Sequence, residues 1–326
     1  MKKTIAVLLA VIFSVGSAFA QQAQWKNSRH SVFAGGGINV FMGDLGGGSG
    51  KGSHFLAFKD MDNKATNPSF TIGYKYKLTE RFSLRANVLY SIVKADDASS
   101  ENITRYERNF NFKSNFWDLG GSVDFYFIKE KEVPVYARLS FWKRWSAYVF
   151  VGLSGLRYNP KGQDPYTGDW VELRPLHTEG QTTGVAYQTL DKHGKLVTVE
   201  SEKEYGKWTL SYPFGIGVKC QVTRRWDIGL EFAQRYTFSD HLDDCGSDYY
   251  FNYAELGITP PSDSTPIMAD KHMNENGEID PEKYLTGRQG RSNSDYRDAY
   301  WTLLLTLHYK FKSNKGTPYN HRPKYM

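Results

Sequence analysis

The chain has 326 residues, a formal charge of +6, 15% aromatic residues, 30 glycines and two cysteines. Setting Lys2 and Lys3 aside leaves +4, a mild basic bias that does not indicate nucleic-acid binding. Two cysteines exclude a disulfide scaffold, and after residue 20 no apolar run reaches about 18 residues, which excludes a helical membrane protein.

Residues 1–20 read as a cleaved export signal. Lys2 and Lys3 supply its positive start, Ile5 to Phe13 its short apolar core, and Ala18-Phe19-Ala20 a cleavage site before Gln21. The remainder divides into an expected barrel, 21–312, and a polar tail, 313–326.

Between these ends, eight segments alternate at period 2. The first, around Val32 to Met42, is glycine-rich and its faces are less clean. The second sets Phe70, Ile72, Tyr74, Tyr76 and Leu78 against Thr71, Gly73, Lys75 and Lys77. In the third, Phe82, Leu84, Ala86, Val88, Tyr90 and Ile92 oppose Ser83, Arg85, Asn87, Leu89 and Ser91. The fourth runs from Trp117 to Phe127, with Asp118 and Asp124 on its polar face, and the fifth, around Ala147 to Tyr158, is weaker, with small residues and less clean faces like the first. The sixth, Thr209 to Cys220, the seventh, from Trp226, and the eighth, Asp298 to Phe311, split into two faces, the seventh interrupted only by Gln234. In the eighth, Ala299, Trp301, Leu303, Leu305, Leu307, Tyr309 and Phe311 share one side.

Alternation fits a soluble all-β domain as well as a membrane barrel, and three features choose the barrel. The segments are roughly 10–14 residues long, as a tilted membrane strand needs and a soluble strand rarely is. Aromatics bracket the apolar faces: Trp226 and Tyr236, or Trp301 and Phe311, are spaced for a rise of about 25 Å, the height of an outer-membrane apolar band with its aromatic girdles. Connections also alternate between short (Thr79-Glu80-Arg81, Lys129 to Arg144, Thr223-Arg224-Arg225) and long (Gly43 to Asn67, Asp96 to Lys113, Asn159 to Lys207, Asp240 to Arg297). The fold class is therefore all-β: an eight-stranded antiparallel up-and-down transmembrane β-barrel with short periplasmic turns and long external loops. Its expected site is the outer membrane, with outer-membrane lipid and lipopolysaccharide as neighbours.

The polar faces place Lys75, Lys77, Arg85, Asp118, Asp124, Lys219, Asp227, Glu231, Arg235, His308 and Lys310 inside. Eight strands leave an interior just wide enough for side chains, so the lumen is expected to be plugged by paired charges. Leu305 is expected to face lipid near mid-membrane, with Thr306 in the lumen.

Asp240, His241, Asp243, Asp244 and Cys245 follow the seventh segment. They read either as a metal or acid–base site, or as a polar strand top that caps the rim with hydrogen bonds. His177 beside Glu179 has the same two readings. Cys220 belongs near the short-turn end and Cys245 beyond the opposite rim, too far apart to pair. No catalytic, cofactor-binding or metal-ligating residue is assigned, and the chain is not expected to be an enzyme.

Several phrases then add a resemblance. Gly43-Asp44-Leu45, "NPSFTIGYKYKLTERFSLRANVLYS" (67–91), "RNFNFKSNFWDLGGSVDFYF" (108–127), "AYVFVGLSGLRYNP" (147–160), "WVELRPLHTEGQ" (170–181) and "PFGIGVKCQVTRRWDIGLEFAQRYTFSDHLDD" (213–244) stand in that order. Together they resemble the PorG-like outer-membrane proteins of Bacteroidota, associated with type IX protein secretion. The most specific part is Thr178-Glu179-Gly180-Gln181 with Asp240, Asp243 and Asp244; the sequence departs from the family's commoner Tyr at His241 and Val at Cys245. The resemblance implies a non-catalytic component of a secretion apparatus, touching a periplasmic ring built on a lipoprotein. Lys129, Lys131, Lys143 and Arg144, with the basic tail, are the candidate contacts. The alternative is a general surface or anchoring barrel for adhesion or envelope integrity.

Overall fold

The computed structural model describes residues 24–46, 66–100, 102–131, 144–191, 193–274, 277–279, 287, 290–294 and 297–312. The expected signal 1–20, the tail 313–326 and Lys143 lie outside the described residues. The period-2 segments become β1 (His30–Met42), β2 (Asn67–Lys77), β3 (Phe82–Asp96), β4 (Asn111–Ile128) and β5 (Trp145–Arg157). Four short strands follow: β6 (Lys161–Gln163), β7 (Trp170–Glu172), β8 (Ala186–Leu190) and β9 (Leu196–Glu200). Then come β10 (Trp208–Gln221), β11 (Trp226–Thr237) and β12 (Ala299–Phe311).

Every long strand pairs antiparallel with its sequence neighbour among the long strands. β1 pairs with β12, which closes the eight-stranded barrel. Closure pairs the backbone groups that hydrocarbon cannot satisfy. Two of the short turns use one local device. Thr79 Oγ1 accepts the N–H of Arg81 and Phe82 at 3.2 and 3.0 Å, and Thr223 Oγ1 accepts those of Arg225 and Trp226 at 3.2 and 3.0 Å. The β5–β10 ladder skips Tyr212 and Pro213, because proline has no N–H to give.

The outward face carries the expected apolar band: Ile72, Leu84, Leu119, Val151, Leu230 and Leu305 are all exposed. Leu305 is 61% exposed while Thr306, the next residue, is 1%. Aromatic pairs edge the band. Trp226 and Tyr309 stand 4.9 Å apart at the short-turn end, Tyr90 and Trp117 4.8 Å apart at the other. Trp301 departs from the expected girdle. It is 7% exposed, paired between Val40 and Gln234 and packed on Phe232, so it is enclosed on the outer wall rather than open to it.

All eleven residues assigned to the interior are buried. Next to the short turns, Glu130 enters from beyond β4 and meets Lys77, Lys219 and Lys310 at 3.0, 3.1 and 3.2 Å, while Asp227 holds Lys310 at 2.7 Å. One layer up, Asp124 lies 2.9 Å from Lys75 and 3.0 Å from Arg85, and Glu231 lies 2.7 Å from both Arg85 and the Tyr148 hydroxyl. Gly73 makes room here: a Cβ would meet the Phe33 ring at 2.4 Å. A third layer joins Asp118 to Tyr300 at 2.8 Å and Arg235 to Thr302 at 2.7 Å. The void beside Arg85, Asp118 and Arg235 has room for about one water.

Above that layer the interior turns apolar. Phe41, Leu89, Val93, Phe112, Phe116, Leu156 and Leu304 pack with Tyr300. Phe112 and Phe116 precede the expected start of the fourth segment, because β4 is 18 residues long and rises past the membrane band.

Candidate functional site

The described parts of the long loops fold over the barrel mouth, and Thr178, Glu179 and Asp244 meet there around an arginine that sequence reasoning missed. Arg291 is 1% exposed. Its Nη2 donates to Thr178 Oγ1 at 2.9 Å and to the Asp244 carbonyl at 3.2 Å, its Nε to Glu179 Oε1 at 3.1 Å, and its Nη1 to the Ala269 carbonyl. Thr178 passes its own proton toward Asp244 Oδ2, and the Tyr205 hydroxyl donates to Asp244 Oδ1 at 2.7 Å. Glu179 Oε1 also accepts the N–H of Gly246 and Ser247, both at 2.9 Å. Gln181 closes back on the Glu179 N–H at 3.1 Å. Gly180 sits at φ +70°, where a Cβ would strike the Phe251 ring at 2.5 Å, so only glycine fits.

A second arginine ties the remaining loops to this knot. Arg108 ends the short helix Ile103–Arg108 and grips Asp97 with two bonds of 2.6 and 2.9 Å. It also donates to the carbonyls of Asp44 and Arg291. Asp97 in turn accepts the N–H of Gly46 at 2.9 Å and Phe110 at 3.2 Å. Loops after β1, β3, β5 and β11 are thus joined through two guanidinium groups. Neither Arg108 nor Arg291 lies in a periodic segment, and no local motif marks Arg291.

The aspartates are a proton-holding group. Burial and the nearby Asp44 push Asp243 well above the usual carboxylate range; its Oδ1 accepts the Cys245 N–H at 3.1 Å. Burial, with Asp44 and Asp243 beside it, raises Asp240 to about 9. Burial raises Asp44 to about 6 and, with Glu179, raises Asp244 to about 6, although Arg291, Thr178 and Tyr205 work against the latter shift. Burial would lower His241, but its hydrogen bond to Glu202 and the carboxylates of Glu179 and Asp244 prevail and lift it to about 9. Burial also pushes the Cys245 thiol up, leaving it unreactive. Cys220 and Cys245 are both free. Among the described residues no group of three or more His, Cys, Asp or Glu side chains is arranged to hold a metal ion.

The cluster after β11 divides in two: Asp244 is tied into the knot around Arg291, while Asp240 Oδ1, Asp243 Oδ2 and His241 Nδ1 are buried without a hydrogen-bond partner among the described residues. Thr178, Glu179 and Asp244 meet at Arg291, Gln181 joins them through Glu179, Asp243 accepts only the Cys245 N–H, and His177 instead approaches Thr182 and Glu204 at 3.2 and 3.8 Å. At the other end, Lys129 pairs with Glu80 at 2.6 Å in solvent, Lys131 is exposed and Arg144 half-buried. Arg81, Arg224 and Arg225 are exposed on the same side, so the basic character of that face reaches beyond the one turn singled out in sequence.

A family model described as the outer membrane protein beta-barrel domain matches residues 6–259. Among solved structures, Neisserial surface protein A is similar at 12% identity, with 87% of this chain and 98% of that chain covered and a TM-score of 0.35. Ail, the attachment invasion locus protein of Yersinia pestis, is 9% identical over 87% of this chain and 99% of that one, with a TM-score of 0.31. The outer membrane protein OprG from Pseudomonas aeruginosa is 8% identical over 88% and 98%, with a TM-score of 0.32. No curated protein matches the chain. The barrel assignment rests on the closed ladder and the family match, not on these distant likenesses.

Proposed function

The chain belongs to the outer-membrane β-barrel protein family and resides in the outer membrane, and on that premise we propose that it is a non-catalytic anchoring barrel whose rigid external cap is its working surface. The observation that carries this reading is the filled interior: three layers of paired charge, an apolar layer and the arginine-tied loops follow one another from periplasm to exterior. Such a stack opposes passage and favours presentation of a fixed surface for adhesion or envelope integrity. Planar-bilayer recording of the purified barrel tests it. Traces without channel steps are expected, and nanosiemens conductance would overturn it.

A second reading makes the barrel an accessory of a type IX-like secretion apparatus, contacting a periplasmic ring lipoprotein. The exposed Arg81, Lys131, Arg224 and Arg225 favour it, since they give the periplasmic face a basic surface beside the Lys129 to Arg144 turn. A deletion strain separates the two: loss of exported cargo supports secretion, while intact export with altered adherence supports anchoring.

A further inference from the structure

Register places two lateral rows of side chains on the outer wall, one above the other. In the lower row, Tyr90 of β3 pairs with Trp117 of β4, Trp117 with Arg157 of β5, and Arg157 with Trp208 of β10. Trp117 and Trp208 are 50% and 62% exposed, and Arg157 is exposed between them. Four residues further toward the exterior, Lys94 pairs with Lys113, and Lys113 with Lys161 of β6. That step is about 13 Å along the strand and about 10 Å in height at the usual tilt.

Cross-strand partners share a face, so the three lysines stand side by side at strand spacing on the outer wall. Like charges directly opposite each other destabilise a sheet. The local carboxylates only partly relieve this: Glu172 approaches Lys161 at 3.5 Å, and Asp96 is engaged in capping the Ala98 N–H. Lys113 lies over the Trp170 ring at 4.4 Å, a contact that orients the ammonium without neutralising it. An anion between the lysines removes the repulsion. The lower row supplies what such an anion would be attached to: tyrosine and tryptophan settle at the boundary between acyl chains and headgroups, and arginine binds phosphate with two parallel hydrogen bonds.

We propose that this wall, formed by β3, β4, β5, β6 and β10, is a binding site for the phosphorylated headgroup of an outer-leaflet glycolipid. The tryptophans flank its acyl–sugar boundary, and Arg157 with the lysine row takes its phosphates. The site depends on the outer-membrane setting and the outward loops, not on whether the barrel anchors or assists secretion.

The test uses the purified full barrel in zwitterionic detergent, titrated with bisphosphorylated lipid A and with the same lipid stripped of phosphate, bound lipid being counted by native mass spectrometry. The phosphorylated form should bind more tightly, and K94Q/K113Q/K161Q should weaken it about a hundredfold, as expected for three basic residues near an anionic surface. The single variants K94Q and K161Q should each show part of that loss, and R81Q/R224Q/R225Q on the periplasmic side none. Equal binding of the two lipids, or a triple variant as tight as the parent while retaining its heat-modifiable gel shift, would overturn the site. Displacement of the lipid by millimolar inorganic phosphate would also overturn it, by showing a free-anion site instead.

Discussion

Arg291 places its Nη2 2.9 Å from the hydroxyl of Thr178, a residue 113 positions earlier in the chain. The two belong to different loops, and the bond is buried. Removing the arginine strands Glu179 and Asp244 without their counter-charge. Arg291→Ala is expected to destabilise the cap by about 3–5 kcal/mol while leaving the barrel folded. Limited proteolysis of intact cells should then cut within residues 170–300, with the heat-modifiable gel shift preserved. A cap as resistant as the parent's would refute the role given to Arg291.

The membrane assignment is tested at Leu305 and its neighbour. Leu305→Arg puts a charge into the apolar band and should cost roughly 2–4 kcal/mol in urea titrations from lipid vesicles. Thr306→Arg enters the lumen, meets His308 beside it, and should fail by overcrowding during assembly. Normal stability of the Leu305 variant would reverse the inside and outside faces.

Cap stability should fall as pH rises. Asp44 and Asp244 are raised to about 6 and Asp240 to about 9, so each holds its proton more firmly in the folded state than in the unfolded one. Their contribution is complete below the ordinary carboxylate value and disappears through about 6 and then about 9. His241, raised to about 9, contributes fully below its ordinary value of 6.5 and loses that contribution on the same upper limb. Hydrogen exchange of the cap amides should be slower at pH 5 than at pH 9 after correction for intrinsic rates, and Asp240→Asn should flatten the alkaline part. The opposite trend would show that these carboxyls ionise freely.

Glu130 is the counter-charge of three lysines from β2, β10 and β12. Glu130→Ala removes that partner from Lys77 and Lys219, with Lys310 keeping Asp227, and should lower the gel-shift transition temperature, a loss on the order of 3–5 kcal/mol. Adding Lys219→Met should recover part of it. If the single substitution leaves the transition unmoved, the three contacts contribute nothing measurable.

Most of the wall was legible in sequence because one period governs it: residues two apart share a face, and lipid and lumen demand opposite chemistry. Lys75, Arg85, Asp124 and Glu231 could thus be placed before any coordinate. The cap was legible only as a phrase. Thr178, Glu179 and Asp244 stood out together, but Arg291 and Arg108, which join them to the other loops, sit in stretches without periodicity, and side-chain contacts across more than a hundred residues leave no local mark. Part of the upper lumen was missed for a related reason: β4 begins earlier than its cleanest alternation, so Phe112 read as loop and Phe116 fell just outside the fourth segment, although Leu89 and Leu304 lay on inward faces.

The seam between β1 and β12 joins the first barrel strand to the last. A chain halted anywhere before β12 carries two raw edges, at β1 and at its newest strand, each able to capture a stray partner. Until β12 arrives both edges present unpaired N–H and C=O groups, so freedom from edge-to-edge pairing is gained only with the last strand.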